Sequence, residues 1–303
     1  MVEEDIQINP LLQQLRTNPI ATPVYDYFTN SEGLRLFYRK FEPKSQEIRR
    51  IIIGCHGMGG DGEYFTLLAD QIVEQTNSAF YIMDYRGHGR SEGARGDIKK
   101  FELYFEDLKE FVIFIQQKYP SIPLIILGES MGGIVSINFV ARNPEIFSGI
   151  IEFAPAVRLH LTAFSIVDAF KAVGYFFVYL FAPGKTVIGS KGREEVGVRN
   201  EIHQQYDRTN PFHLEAVSPR YILQLNKFSK ISYKSGFKIK APIIIFQGEG
   251  DKLVSVEGVK TFFETVASED KELILYPEAY HVLFTDPYAG DLWDKLRGWI
   301  KAH

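Results

Sequence analysis

An apolar run that ends in Gly-x-Ser-x-Gly restricts the fold of this chain more than any other feature. Residues 124–136 read Leu-Ile-Ile-Leu-Gly-Glu-Ser-Met-Gly-Gly-Ile-Val-Ser, which predicts a buried strand that turns sharply into a helix. Glycines are needed where a strand and a helix nearly touch, and the serine in such a turn takes a strained backbone conformation. The bare five-residue pattern also occurs by chance. In this context it predicts that Ser130 is an exposed nucleophile at the carboxyl end of a strand.

A serine hydroxyl needs a base to take its proton and a third group to orient that base. Asp251 lies in a loop after the apolar segment 241–247, which reads as a buried strand. His281 lies in the loop after the next predicted strand, 271–277. The order serine, acid, histidine is the one expected after a strand–turn–helix nucleophile site, so Asp251 is predicted to orient His281, the base.

Other side chains compete for these two roles. Glu249, two residues before Asp251, is the alternative acid, whereas Asp286 follows His281 and breaks the expected order. A packed loop histidine is the alternative interpretation of His281 itself. The remaining histidines lie in turns before Ser130, in the segment described below as a cap, or at the C-terminus: His56, His88, His160, His203, His213 and His303.

Two backbone N–H groups should stabilise the negative charge that develops on a substrate carbonyl oxygen. One is predicted from Met131, the residue after the serine, at the N-terminus of the helix. The other is predicted from the glycine-rich turn 56–62, where Met58 is the candidate donor. A tight turn alone would also explain these glycines, and the two interpretations are compatible because the turn exposes the amide.

Five segments together resemble the monoacylglycerol lipase and lysophospholipase group of α/β-hydrolases. The resemblance extends over about residues 30 to 300. The segments are 56–59 (His-Gly-Met-Gly), 84–93 (Asp-Tyr-Arg-Gly-His-Gly-Arg-Ser-Glu-Gly), 128–133 (Gly-Glu-Ser-Met-Gly-Gly), 248–251 (Gly-Glu-Gly-Asp) and 279–283 (Ala-Tyr-His-Val-Leu).

The resemblance implies hydrolysis of carboxylic esters by a catalytic triad. Ser130, Asp251 and His281 would form the triad, and the amides of Met58 and Met131 would form the oxyanion hole. Medium- or long-chain monoacylglycerols are the leading substrates, followed by lysophospholipids and other acyl esters. The alternatives are a thioesterase or an aminopeptidase with the same triad, and a non-catalytic ligand-binding relative.

The chain departs from that group at Glu129, where histidine is more frequent. A carboxylate directly beside the nucleophile could alter the rate of the reaction or its pH profile. Plant-like relatives also carry glutamate there, so ester chemistry is still expected.

Composition and charge exclude several classes of protein. The 303 residues are 45% apolar and 24% charged, as in soluble globular proteins. The net charge of −4, with no basic stripe, gives no reason to expect nucleic acid binding. No cluster with metal-ligand spacing is visible, so no cofactor is expected. The acidic N-terminal residues lack the apolar segment of a secretory signal, and a cytoplasmic location is therefore expected.

The order of predicted elements indicates an α/β fold with a mostly parallel central sheet and helices on both faces. Residues 31–155 and 241–303 are predicted to form this core. The alternation of strands and helices stops between them, and residues 156–240 are predicted to form an inserted helical cap, or lid. Residues 1–30 contain Asn-Pro and Thr-Pro steps and are predicted to be an extended lead-in.

Residues 161–182 of the predicted cap are unusually apolar and aromatic. They are long enough for a transmembrane helix, but Asp168 and Lys171 interrupt them. A second interpretation is a cap helix that packs on the core. The third, which we favour, is a helix that lines an acyl pocket and contacts membranes peripherally, because a lipid substrate must leave a bilayer to reach Ser130.

Overall fold

The computed structural model describes residues 6–16, 19, 22–44, 47–160, 166–189 and 194–303, apart from the side chains of 166–173 and 194. The strands in this part of the chain are β1 (Val24–Thr29), β2 (Arg35–Phe41), β3 (Arg50–Cys55), β4 (Ser78–Met83), β5 (Leu124–Glu129), β6 (Gly149–Phe153), β7 (Ile188–Gly189), β8 (Ala216–Val217), β9 (Ile243–Gly248) and β10 (Lys271–Tyr276).

Eight of these strands form one sheet in the order β1-β2-β4-β3-β5-β6-β9-β10. Strand β2 pairs antiparallel with β1 and with β4, and the other neighbouring strands are parallel. Every residue of β5 and β9 is buried, as expected for central parallel strands covered on both faces. The predicted α/β class and its mostly parallel sheet are confirmed.

Helices cover both faces of the sheet, and the sheet divides the core into two apolar clusters. The helices are α1 (Pro10–Leu15), α2 (Thr66–Thr76), α3 (Glu102–Lys118), α4 (Met131–Val140), α5 (Ile166–Phe181), α6 (Glu194–Gly197), α7 (Glu201–Thr209), α8 (Pro219–Tyr233), α9 (Val256–Thr265) and α10 (Leu292–Ala302). Helices α2 and α10 contribute to the cluster on one face, and α3, α4, α8 and α9 contribute to the cluster on the other.

The N-terminal residues differ from the extended lead-in predicted for residues 1–30. Helix α1 begins after Asn9, whose side chain accepts a hydrogen bond from the Leu11 amide. The Arg16 guanidinium then binds the buried Asp70 carboxylate at 2.6 Å. Strand β1 pairs with β2 from Val24 onward, so the sheet begins before residue 31. Proline steps indicate where a helix cannot continue, but they do not reveal long-range pairing of this kind.

The segment predicted as a cap contains α5 to α8 and the short antiparallel pair β7-β8. Helix α8 packs against α4, which follows the Ser130 turn. The buried Asn138 side chain of α4 binds Ser232 and donates to the Phe228 carbonyl at 3.3 Å. The last part of this segment therefore packs against the core through α4. The boundaries 156–240 stay a prediction.

Helix α5 occupies most of the apolar segment 161–182, of which residues 161–165 lie outside the described part of the chain. Among the described residues, no helix combines the length and apolar character that crossing a membrane requires.

Candidate active site

Ser130 lies in a strained turn between β5 and α4. Its φ of 54° and ψ of −114° are outside the regions that a non-glycine residue ordinarily adopts. Its neighbours must be small: a Cβ on Gly128 would lie 2.5 Å from Ser136 Oγ, and a Cβ on Gly132 would overlap the carbonyl oxygen of Cys55. The strand and helix approach each other closely here, as the sequence pattern predicts.

The structure brings Asp251 and His281 into direct contact. His281 Nδ1 lies 2.7 Å from Asp251 Oδ2, and both residues are buried. The other carboxylate oxygen of Asp251 accepts hydrogen bonds from the amides of Leu253 and Val254, at 2.8 and 2.9 Å. These bonds fix the carboxylate. It therefore accepts a hydrogen bond from a protonated Nδ1, and Nε2 on the other side of the ring points away from Asp251.

The charges of this pair shift both pKa values. Burial alone would raise the pKa of Asp251, but the facing His281 and the amide donors hold it below its usual value. Burial alone would lower the pKa of His281, but Asp251 and, more weakly, Glu129 raise it to about 9. His281 therefore binds a proton more readily than an ordinary histidine.

The glycine-rich turn after β3 is oriented by a buried histidine. The Tyr85 amide donates to His56 Nε2 at 3.1 Å, which leaves Nδ1 to donate to the Gly57 carbonyl at 2.8 Å. Burial lowers the pKa of His56, in agreement with this neutral form. Because the C=O and N–H groups of one peptide point in opposite directions, the bond to Gly57 O directs the Met58 amide away from His56.

Met131 begins α4, directly after Ser130. Its side chain is buried, and its sulfur accepts a hydrogen bond from the Tyr221 hydroxyl at 2.9 Å. The first amides of a helix have no partner within the helix, so the Met131 N–H is free of α4's own hydrogen bonds. The role of the Met58 and Met131 amides in an oxyanion hole stays a prediction.

A cavity of about 280 Å³ lies beside the Ser130 turn. Ser130, His281, Met58 and Glu129 lie in its wall. Apolar side chains from the core and from the predicted cap line it as well: Ile188, Val198, Leu214, Val217, Ile222, Leu253 and Val282. A molecule with an apolar chain could therefore reach Ser130.

The cavity wall also includes polar residues that the sequence analysis did not identify as site residues. His203 and Asp207 come from α7, His213 follows that helix, and Tyr64 lies before α2. His203 Nδ1 lies 2.9 Å from the Thr285 hydroxyl, and burial lowers the pKa of His203 to about 3. His203 is therefore neutral at pH 7 and can donate or accept a hydrogen bond. No local motif signals these residues. The packing of the predicted cap brings His203, Asp207 and His213 to the cavity, whereas Tyr64 belongs to the core.

The competing acids have other contacts. Glu249 is partly exposed and pairs with Lys260 at 3.3 Å. Asp286 accepts hydrogen bonds from the amides of Tyr280 and Tyr288, at 2.7 and 3.0 Å, and so braces the loop that carries His281. Neither carboxylate occupies the position that Asp251 takes beside the imidazole.

The sheet order, the strained serine turn and the Asp251–His281 pair together define a hydrolase of the α/β-hydrolase fold. The family model described as "Serine aminopeptidase, S33" matches residues 46–288. The chain belongs to this family.

Relatives extend over most of the chain. Monoglyceride lipase from Rattus norvegicus is 30% identical over 274 residues, which cover 88% of this chain and 87% of the relative. Monoacylglycerol lipase from Mycolicibacterium smegmatis is 27% identical and covers 91% of this chain and 96% of the relative. The structure of a soluble variant of monoglyceride lipase from Saccharomyces cerevisiae, in complex with a substrate analog, superposes with a TM-score of 0.82 at 22% identity. The superposition covers 95% of this chain and 97% of the yeast chain.

Proposed function

We propose that this protein is a serine hydrolase of lipid acyl esters and that monoacylglycerols are its main substrates. The observation that carries the proposal is the shared cavity, in which an apolar wall leads to Ser130 and to His281, held by Asp251. The names of the relatives support the same substrate class. An ester with one long acyl chain combines the apolar and polar parts that this wall accommodates.

In the proposed reaction, Ser130 Oγ attacks the ester carbonyl carbon while His281 Nε2 takes the hydroxyl proton. The amides of Met58 and Met131 stabilise the oxyanion that forms. Collapse of this intermediate breaks the bond to the alcohol, which leaves with the proton from Nε2. Water then attacks the acyl-enzyme, gives its proton to Nε2, and releases the fatty acid as the proton returns to Ser130. Asp251 keeps the imidazole oriented throughout.

The cavity wall suits the two parts of such a substrate differently. The apolar side chains of Leu214, Val217 and Ile222 can bury an acyl chain, and each buried CH₂ contributes about 0.8 kcal/mol. The polar groups of His203 and Asp207 can exchange hydrogen bonds with the free hydroxyls of a glycerol ester.

The second half of α5 supplies a surface for peripheral contact with lipid. Its exposed large side chains are Phe176, Phe177, Tyr179, Leu180 and Phe181, of which Phe181 is 82% exposed. Apolar side chains concentrated at one end of a helix are costly to hydrate and insert readily at a lipid interface. Contact between this end of α5 and a lipid surface would bring the predicted cap close to substrate molecules in that surface.

A panel of substrates tests this proposal. We expect wild-type protein to hydrolyse long-chain monoacylglycerols faster than lysophospholipids, short nitrophenyl esters and aminoacyl amides, and Ser130→Ala to hydrolyse none of them. Fastest turnover of lysophospholipids or aminoacyl amides would overturn the substrate class. Activity retained by Ser130→Ala would overturn the nucleophile. The aminoacyl amides belong in the panel because Glu129 and Asp207 give the cavity carboxylates that could bind an amine.

A further inference from the structure

A second carboxylate lies beside the catalytic imidazole. Glu129 Oε1 is 3.8 Å from His281 Nε2, on the opposite side of the ring from Asp251, which binds Nδ1. Only 3% of Glu129 is exposed, so this charge is poorly screened by water. The imidazole that the proposed reaction uses as a base is therefore flanked by two acids.

Glu129 is held in this position by its own contacts. The Tyr64 hydroxyl donates to Glu129 Oε2 at 2.6 Å and accepts a hydrogen bond from the Gly57 amide at 3.3 Å. Gly57 leaves room for the carboxylate, because a Cβ there would overlap Oε2. Strand β5 fixes the backbone of Glu129, and burial together with the Tyr64 bond restricts rotation of its side chain away from His281.

The charged and titratable groups around this pair come from several elements. Asp251 and Glu129 face the imidazole directly, and Tyr64 faces Glu129. From the predicted cap, His203, Asp207 and His213 line the same cavity. Asp207 makes close contacts with the two histidines, at 3.7 Å from each, rather than with His281.

We propose that Glu129, held by Tyr64, is a positioning residue that sets the pH at which His281 becomes able to accept the Ser130 proton. This inference depends on the proposed triad. Burial and the Asp251 charge raise the pKa of Glu129, while the facing His281 and the Tyr64 hydroxyl oppose that rise. When ionised, Glu129 stabilises the protonated imidazole, which cannot act as a base.

The sign of the effect follows from which form of His281 is active. Only the neutral imidazole can take the serine proton, so the rate rises with pH as His281 loses its proton. A nearby negative charge delays that loss to higher pH. The acid limb of the pH–rate profile is the range in which the rate rises as His281 loses its proton. Removing the Glu129 charge should move this limb to lower pH and change the plateau at high pH less.

The test is the pH dependence of inactivation by a fluorophosphonate, which reports on the Ser130 and His281 chemistry whatever the natural substrate is. We expect Glu129→Gln to move the acid limb down by about one pH unit, the lower end of shifts caused by a charge at this range. Glu129→Asp keeps the charge but draws it back from Nε2, so its limb should lie between those of wild type and Glu129→Gln. Glu249→Gln removes an exposed carboxylate and is the matched control, which should leave the limb in place.

An acid limb that is unchanged or moved upward in Glu129→Gln would overturn the inference. If that variant does not fold, a limb in Glu129→Asp at or above the wild-type position would overturn it in the same way. A purely structural role for Glu129 would lower the plateau without moving the limb. Failure of the proposed function would look different: wild-type protein would resist inactivation at every pH and would not hydrolyse any ester.

Discussion

A 2.7 Å contact joins His281 Nδ1 to Asp251 Oδ2, across thirty residues of sequence, inside the protein. The same carboxylate accepts hydrogen bonds from two backbone amides, which restrict its rotation and so hold it against the imidazole. This geometry fixes which ring nitrogen carries the proton, and it leaves Nε2 for the role of base that we propose toward Ser130.

Asp251→Asn should therefore lower kcat by about 10⁴-fold, because an amide at this position favours the wrong imidazole tautomer. KM should change little, since Asp251 is not in the cavity wall. The measurement is steady-state hydrolysis of a monoacylglycerol. Glu249→Gln is the control, because Glu249 pairs with Lys260 instead of His281. A larger loss in the control than in Asp251→Asn would mean that the orienting acid is misassigned.

Gly132→Ala should disrupt the serine turn. The added methyl group would overlap the carbonyl oxygen of Cys55 in β3, and neither backbone can move without shifting the sheet. We expect a large loss of stability or of soluble protein. Gly298→Ala is the matched change in α10: it meets nothing within 4 Å and should stabilise the protein by about 0.5–1 kcal/mol, as Ala does in helices. Thermal unfolding compares the two, and equal effects would contradict the packing described here.

Glu152 should make stability depend on pH. It lies buried beneath the serine turn, where Ser136 Oγ donates to it, and burial raises its pKa well above the usual value. The folded protein then binds a proton that the unfolded chain releases above about pH 4.3, so this group lowers stability as pH rises from there toward its folded pKa.

Glu152→Gln cannot ionise and should not carry this pH-dependent cost. The variant should therefore gain stability relative to wild type between pH 5 and pH 8, values that lie above about 4.3, the usual glutamate pKa. Denaturant unfolding at both pH values measures the difference between the proteins. If wild type and Glu152→Gln differ in unfolding free energy by the same amount at pH 5 and at pH 8, Glu152 is not protonated in the folded state.

The exposed aromatic end of α5 should bind lipid surfaces. Phe177→Ser combined with Phe181→Ser removes two side chains that are 54% and 82% exposed. Vesicle binding should weaken by about tenfold or more, since full burial of one such side chain contributes about 1.5–3 kcal/mol. Hydrolysis of a short, soluble ester should not change. Ile113→Ser, on the exposed side of α3, is the control, and an equal loss of vesicle binding there would argue against a specific role for α5.

Local sequence patterns predict the strand–turn–helix around Ser130 and the loops that carry Asp251 and His281. Ser130 and Asp251 follow strands buried on both faces, β5 and β9, and such strands have a distinct apolar composition. His281 follows β10, an edge strand in which only Ile274 and Tyr276 are buried. Pairing between distant segments is harder to predict, as β1 shows. None of its residues is fully buried, and pairing with β2 makes this segment a strand.

The cavity wall illustrates the same limit. His203 and Asp207 lie on a short polar helix whose sequence is typical of a solvated surface. They reach the cavity because α7 is held against the core by contacts such as that of Asn210 with Asp61 at 3.2 Å. The sequence places Glu129 directly before Ser130, but the distance from its carboxylate to His281 depends on the folded structure, and no spacing in the sequence encodes it.

Covalent trapping tests the role of Ser130 most directly. Wild-type protein incubated with a fluorophosphonate that carries a long alkyl chain should gain the mass of one adduct, and peptide mapping should place it on Ser130. The same treatment of Ser130→Ala should give no adduct. Labelling of Ser130→Ala, or an adduct on another residue of the wild-type protein, would contradict the assignment of Ser130 as the nucleophile.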